Sequence, residues 1–196
     1  MSFINEKTKE INCKVIFYGP PLCGKSTTLR QIYNKIKNDI KSASVALSQD
    51  KDKTLYFDFI PLTLGKIRNY NIRLHLYTVP SEHAYESTRK LISKGVDGIV
   101  FIADSQLEKM EANLKSMSNL KEILDEEKEE NNIPIVIQYN KRDLPTALPV
   151  EKLSSVLNPS HVEEFESIAS KRQGVYDALQ AIIKKVLVNL KGTTDR

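Results

Sequence analysis

The run Gly19-Pro20-Pro21-Leu22-Cys23-Gly24-Lys25-Ser26 fits G-x-x-x-x-G-K-[ST] and lies between an apolar segment, Val15-Ile16-Phe17-Tyr18, and a stretch of helical periodicity. A strand that delivers such a loop to a helix N-terminus converges backbone N–H groups on one point, where the helix dipole favours an anion. The run therefore reads as a phosphate-binding loop built from Gly19, Leu22, Cys23, Gly24, Lys25, Ser26 and Thr27. In this reading Lys25 reaches β- and γ-phosphates and Ser26 offers its hydroxyl to Mg²⁺. Gly24, with no Cβ, lets the backbone pass close to the ligand.

The rest of the chain supplies the sheet that such a loop needs. Asn12 to Tyr18 reads as a strand, and Leu29, Ile32, Tyr33, Ile36 and Ile40 recur at helical spacing. A polar loop from Lys41 to Lys53 is longer than an ordinary connection, which points to mobility or function. Thr54 to Leu62 alternates, with Leu55, Phe57 and Phe59 on one face and Tyr56 and Ile60 on the other. A turn at Gly65 then returns the chain as Ile72 to Val79. Bulky residues on both faces mean either that both are covered or that one, carrying Phe57 and Phe59, meets a partner.

After Pro80 come a polar loop, a short helix ended by Gly95, and a buried strand from Gly98 to Ala103. Leu107, Met110, Leu114, Met117 and Leu124 mark a long helix whose acidic end opposes the helix dipole and frays. Ile133 to Tyr139 reads as a strand, Pro149 to Leu157 as a short helix and Val175 to Leu190 as a closing helix. Alternating β and α segments predict an α/β fold with a mostly parallel sheet covered on both faces. The 196 residues fit one domain, with a short polar tail at about 191–196. No apolar run approaches the roughly 20 residues of a spanning helix. The first residues carry no export signal and neither end a lipidation motif, so a soluble, cytoplasmic protein without a membrane anchor is expected. Lys and Arg are dispersed at a net charge of +4, which argues against nucleic acid as a partner. The three histidines are scattered: His75 and His161 read as structural and His83 as a surface residue, none of them metal-binding. Cys23 reads as a packed thiol, with a lowered pKa at the helix N-terminus as the alternative.

A phosphate loop does not choose a base. Asn140-Lys141-Arg142-Asp143, at the carboxyl end of the Ile133 to Tyr139 strand, has the spacing N-K-x-D. Guanine presents N1–H and an N2 amine side by side, and a carboxylate at Asp143 can accept both, whereas adenine lacks that pair. Asn140, Lys141 and Asp143 are thus candidate guanine contacts, joined by Ala169 and Ser170 in the loop before the last helix.

These motifs, with Leu76-Tyr77-Thr78-Val79-Pro80, Lys94-Gly95-Val96-Asp97-Gly98 and Ala103-Asp104-Ser105, resemble the Ras-like small GTPases, and more closely their bacterial gliding-motility branch, over nearly the whole chain. The resemblance implies a three-layer P-loop NTPase fold, with a six-stranded, mostly parallel sheet, one antiparallel edge strand and helices on both faces. It implies GTP or GDP with Mg²⁺, the metal held by Ser26 and by Thr54 in switch I, and a switch II that starts near Pro80 with Ser81 at the γ-phosphate. It further implies a monomer that controls cell polarity or motility, recruited to a cell pole. The partners implied are a roadblock-domain regulator and a response-regulator-like polarity protein.

The chain departs from that branch where γ-phosphate chemistry takes place. Pro21 replaces a loop glycine, Lys53 an arginine, and Ser81 and Glu82 the glycine and glutamine that open switch II. Lys53 and Glu82 are the candidate catalytic residues, and they predict slow GTP hydrolysis. Thr78 stands where a metal-supporting aspartate is usual, with Asp52 and Asp58 as candidate substitutes. A binding module held in the GTP state is the alternative; an ATP-using P-loop enzyme leaves Asn140 and Asp143 unexplained.

Overall fold

The apolar run that begins at Gly98 forms a strand whose every residue is buried, as a strand covered on both faces requires. The computed structural model describes residues 3–36, 58–67, 69–80, 86–126 and 133–194. In chain order the elements are β1 (Phe3–Asn5), β2 (Glu10–Tyr18), α1 (Lys25–Ile36), β3 (Phe59–Ile67), β4 (Tyr70–Thr78), α2 (Glu86–Ser93), β5 (Gly98–Asp104), α3 (Met110–Glu126), β6 (Ile135–Asn140), α4 (Val150–Leu157), β7 (Glu164–Glu166) and α5 (Val175–Thr194).

The strands lie in the order β3-β4-β2-β5-β6-β7. All neighbours along this path are parallel except β3, which runs antiparallel to β4 at one edge. This bears out the six-stranded, mostly parallel sheet with an antiparallel edge strand. A seventh strand, β1, pairs antiparallel with the start of β2 from Phe3↔Asn12 to Asn5↔Glu10.

Period-two alternation in β2 divides the core. Ile11, Cys13, Val15 and Phe17 point to one face, where Leu29 and Ile32 of α1 and Val175, Ala178, Ile182 and Val186 of α5 close over them. Ile16 and Tyr18 point to the other, covered by Ile92 of α2, Leu120 and Ile123 of α3 and Leu153 and Leu157 of α4. Helices therefore cover both faces. The carboxyl ends of β2, β5 and β6 share one rim, and the loops that follow them meet there.

Three boundaries differ from the sequence reading. Gly65 is not the hairpin turn: at φ 104 it forms a bulge where the β3–β4 register shifts, and the strand runs on to Ile67. β3 spans Phe59–Ile67 among the described residues, and the expected start of the strand at Thr54 lies outside them. Leu107 falls in a 3₁₀ turn, Leu107–Lys109, which rotates it off the stripe of α3 and leaves it 59% exposed. The expected polar tail is helical as far as Thr194. Among the described residues, no helix is long and apolar enough to cross a membrane.

Candidate nucleotide site

The loop after β2 holds two glycines in conformations other residues avoid, Gly19 at φ 148 and Gly24 at φ 107, with Leu22 also left-handed at φ 60. A Cβ on Gly19 would strike the carbonyl of Ile102, and one on Gly24 would strike the side-chain amide of Asn140. The loop is thus wrapped against β5 and β6 with no room for a methyl group at either glycine. Pro21 and Leu22 form its exposed tip, Leu22 at 84%. Beside the tip, a cavity of about 360 Å³ opens between Tyr18, Pro21, Pro80, Arg89 and Lys115.

Lys25 is buried and donates from Nζ to the carbonyls of Gly19 at 2.9 Å and Pro20 at 2.8 Å. Burial pulls its pKa down, opposed by the nearby Cys23 sulfur. Among the described residues its ammonium pairs with no carboxylate. Burial raises the Cys23 pKa, so this residue is a packed thiol and not a reactive thiolate. Ser26 is exposed and Thr27 half-exposed at the start of α1, whose first turn carries no acidic residue. An anion with an associated cation fits this end: Lys25 supplies a buried positive charge, the first turn of α1 carries no acidic residue, and Ser26 is exposed.

The base side is organised by Asn140. Its Nδ2 donates to the carbonyl of Cys23 at 2.8 Å, while its Oδ1 accepts from the backbone N–H of Ala169 at 2.9 Å and the hydroxyl of Ser167 at 3.1 Å. One side chain thereby ties the phosphate loop to the loop before α5. Lys141, left-handed at φ 65, pairs with Asp104, whose carboxylate is buried at the end of β5. Asn113 of α3 fixes Asp104 by bonding both its backbone N–H and its carbonyl. Asp143 faces outward and pairs with Lys171 at 3.2 Å, and Ser170 is exposed beside it in the turn Ala169–Lys171. Asn140 and Ala169 are thus in direct contact, Lys171, which follows Ser170, pairs with Asp143, and Lys141 is held on Asp104.

On the phosphate side, Thr78 and Asp58 form a reciprocal buried pair. The Asp58 N–H donates to Thr78 Oγ1 at 2.7 Å, and that hydroxyl donates to the Asp58 carboxylate at 3.2 Å. A carboxylate thus stands beside the threonine that replaces the usual aspartate. Asp52, Lys53, Thr54, Phe57, Ser81, Glu82 and His83 lie outside the described residues. Phe59 is half-buried, stacks on His75 with ring centroids 5.6 Å apart and meets Tyr77 in a tilted contact at 4.8 Å. Sequence reasoning gave no role to Asp104, Ser167 or Lys171. Only the position of Asp104 at a strand end and of Ser167 two residues before Ala169 signalled them.

Comparison with known proteins agrees with this arrangement. A model of the ADP-ribosylation factor family matches residues 1–186. The mutual gliding-motility protein MglA of Myxococcus xanthus (strain DK1622) is 53% identical over 192 residues, which cover 97% of this chain and 98% of that protein. The tRNA modification GTPase MnmE of Endomicrobium trichonymphae is 27% identical over 183 residues, 93% of this chain but 37% of that longer protein. The chain belongs to the ADP-ribosylation factor family and is an MglA-like small GTPase.

Proposed function

We propose that the chain is a GTP-binding switch that controls cell polarity or motility through GTP-dependent partner binding and hydrolyses GTP slowly. The observation that carries the guanine assignment is the double tie of Asn140, to Cys23 in the phosphate loop and to Ala169 in the base loop. Such a tie gives phosphate and base recognition one rigid frame. Asp143 would read the paired donors of guanine, and the Lys141 stem, fixed on Asp104, would flank the base. Lys25 and the N–H groups from Leu22 to Thr27 would hold the phosphates, with Ser81 reaching the γ-phosphate. Ser26 and Thr54 would hold Mg²⁺, supported by the Asp58 carboxylate beside Thr78. The bound metal supplies charge neutralisation on the phosphates.

Lys53 and Glu82 would serve the hydrolytic step poorly in place of arginine and glutamine. In that reading the strand through Phe57 and Phe59, with switch II, is the partner surface, aromatic rings being frequent anchors. A roadblock-domain regulator and a response-regulator-like polarity protein are the proposed partners of a cytoplasmic monomer recruited to a pole. The 53% identity to a gliding-motility protein supports the role in motility. A module held permanently in the GTP state is the second reading, favoured by the four departures at Pro21, Lys53, Ser81 and Glu82.

The test is to denature the freshly purified protein and chromatograph what it releases. GDP or GTP is expected at close to one equivalent, GTP predominating under the second reading. Adenine nucleotide would contradict the assignment.

A further inference from the structure

Gln138 is fully buried on β6, two residues after Val136, which is part of the apolar core on the same face. An amide in such a place costs free energy unless it is bonded, and here the bonding is uneven. Oε1 is buried with no hydrogen-bond partner among the described residues, whereas Nε2 donates twice, to Thr28 Oγ1 at 3.2 Å and to Ser167 Oγ at 3.0 Å. An aliphatic residue would fill the space without an orphaned oxygen, so the two donated bonds are what sets a glutamine apart here.

Those bonds close a ring. From Gln138 the path runs to the Ser167 hydroxyl, which bonds Asn140 Oδ1, and from Asn140 Nδ2 to the carbonyl of Cys23. Cys23 is followed by Gly24, whose carbonyl accepts from the N–H of Thr28, and the Thr28 hydroxyl returns to Gln138. The ring joins the first turn of α1, the phosphate loop, Asn140 and the base loop, and Gln138 is the member that sits beneath all of them. Ser167 has one hydroxyl proton and two acceptors in reach, Asn140 Oδ1 at 3.1 Å and the Tyr139 carbonyl at 3.3 Å. The bond received from Gln138 fixes that hydroxyl oxygen in place between them.

We infer that Gln138 is a positioning residue for guanine recognition, acting through Ser167 on Asn140 and so on the base loop at Ala169. This rests on the guanine-nucleotide reading above. Gln138 is fully buried and acts only through its neighbours, and its effect should fall on the base more than on the phosphates, because the Lys25 ammonium is held by the carbonyls of Gly19 and Pro20, which lie outside the ring.

The experiment compares GDP and ADP, whose phosphates are identical, by competition against a fluorescent GDP analogue. Gln138→Met keeps the volume and removes both donors. Ser167→Ala cuts the same link from the other side and serves if the first variant does not fold. GDP affinity should drop about tenfold in either variant while ADP affinity stays within about twofold, and the double variant should be no worse than the weaker single one. The melting temperature of Gln138→Met should not fall, since the variant also removes an orphaned oxygen. Equal losses for GDP and ADP, or an unchanged GDP:ADP ratio in the folded variants, would overturn the inference. Failure of the unmodified protein to prefer GDP would instead overturn the guanine reading.

Discussion

The side-chain amide of Asn140 occupies the space that a Cβ on Gly24 would need, and from there it donates to the carbonyl of Cys23 at 2.8 Å. Two residues 116 positions apart thus exclude each other's alternatives. Gly24 can be only glycine because Asn140 is there, and Asn140 can reach Cys23 because Gly24 has no side chain.

Gly24→Ala should therefore be costly twice over, through the left-handed φ and through displacement of Asn140. Roughly 1–2 kcal/mol is expected from the backbone alone. Asn140→Ala should cost about 3 kcal/mol, leaving the Cys23 carbonyl and the Ala169 N–H without their partner. Urea unfolding of the two single variants and the double checks this. Substantial non-additivity is predicted, and simple addition would mean that the two residues are not coupled.

His75 gives a pH dependence. Burial and the charge of Arg73 hold its pKa below the usual histidine range, with Glu10 opposing, while its Nε2 contacts Asn12 Oδ1 at 2.9 Å. With a depressed folded pKa, the unfolded chain binds more protons below about pH 6.5. Its contribution is complete above the unfolded value and declines as pH falls towards the folded one. His75→Gln should flatten the loss of stability between about pH 7 and 5. Parallel curves for the variant and the wild type would exclude His75 as a source.

Phe59 has two roles to separate. Its half-buried ring packs on His75 and Tyr77, so Phe59→Ala should cost about 2 kcal/mol of stability, below the value for a fully buried ring. As a partner anchor it should also weaken binding of a roadblock-domain regulator by tenfold or more, as should Phe57→Ala. Calorimetry of complex formation beside thermal melts decides between them. Retained affinity in both variants with lowered stability would make the rings structural only.

Turnover is expected to be limited by Lys53 and Glu82. A carboxylate at 82 approaching a phosphate oxygen is repelled by about 1 kcal/mol at 4 Å in water and about 4 at an effective dielectric of 20. Lysine at 53 lacks the planar fork behind the roughly 10³–10⁵-fold effect of an arginine finger. Lys53→Arg/Glu82→Gln should raise single-turnover hydrolysis by at least about tenfold, with Pro21→Gly and Ser81→Gly as further additions. A wild type already as fast as the reconstructed variant would contradict slow hydrolysis.

What was legible in the sequence followed from local periodicity and from motifs with a fixed spacing. The run from Gly98, fully apolar to Ala103, could only be a strand covered on both faces, and Gly19 to Ser26 needed a strand before it and a helix after it. β7 was not legible: three residues, Glu-Phe-Glu, carry too little pattern, and the strand exists because β6 offers it an edge. Gly65 suggested a turn by identity, but a glycine in a strand serves a bulge equally well. At the site, N-K-x-D located Asn140 and Asp143, yet Lys171 on Asp143 and Gln138 beneath Ser167 are contacts between distant segments that no spacing encodes.

The most direct test of the account is competition of GDP, GTP and ATP for the wild type, repeated with Asp143→Asn and xanthosine diphosphate. Among the described residues the Asp143 carboxylate pairs with the Lys171 ammonium, and under the proposed function it accepts from the base. The account predicts that guanine nucleotides bind roughly 10⁴-fold more tightly than ATP, and that Asp143→Asn shifts the preference to xanthine. Equal affinities for ATP and GTP in the wild type, or a variant that still prefers guanine, would contradict it.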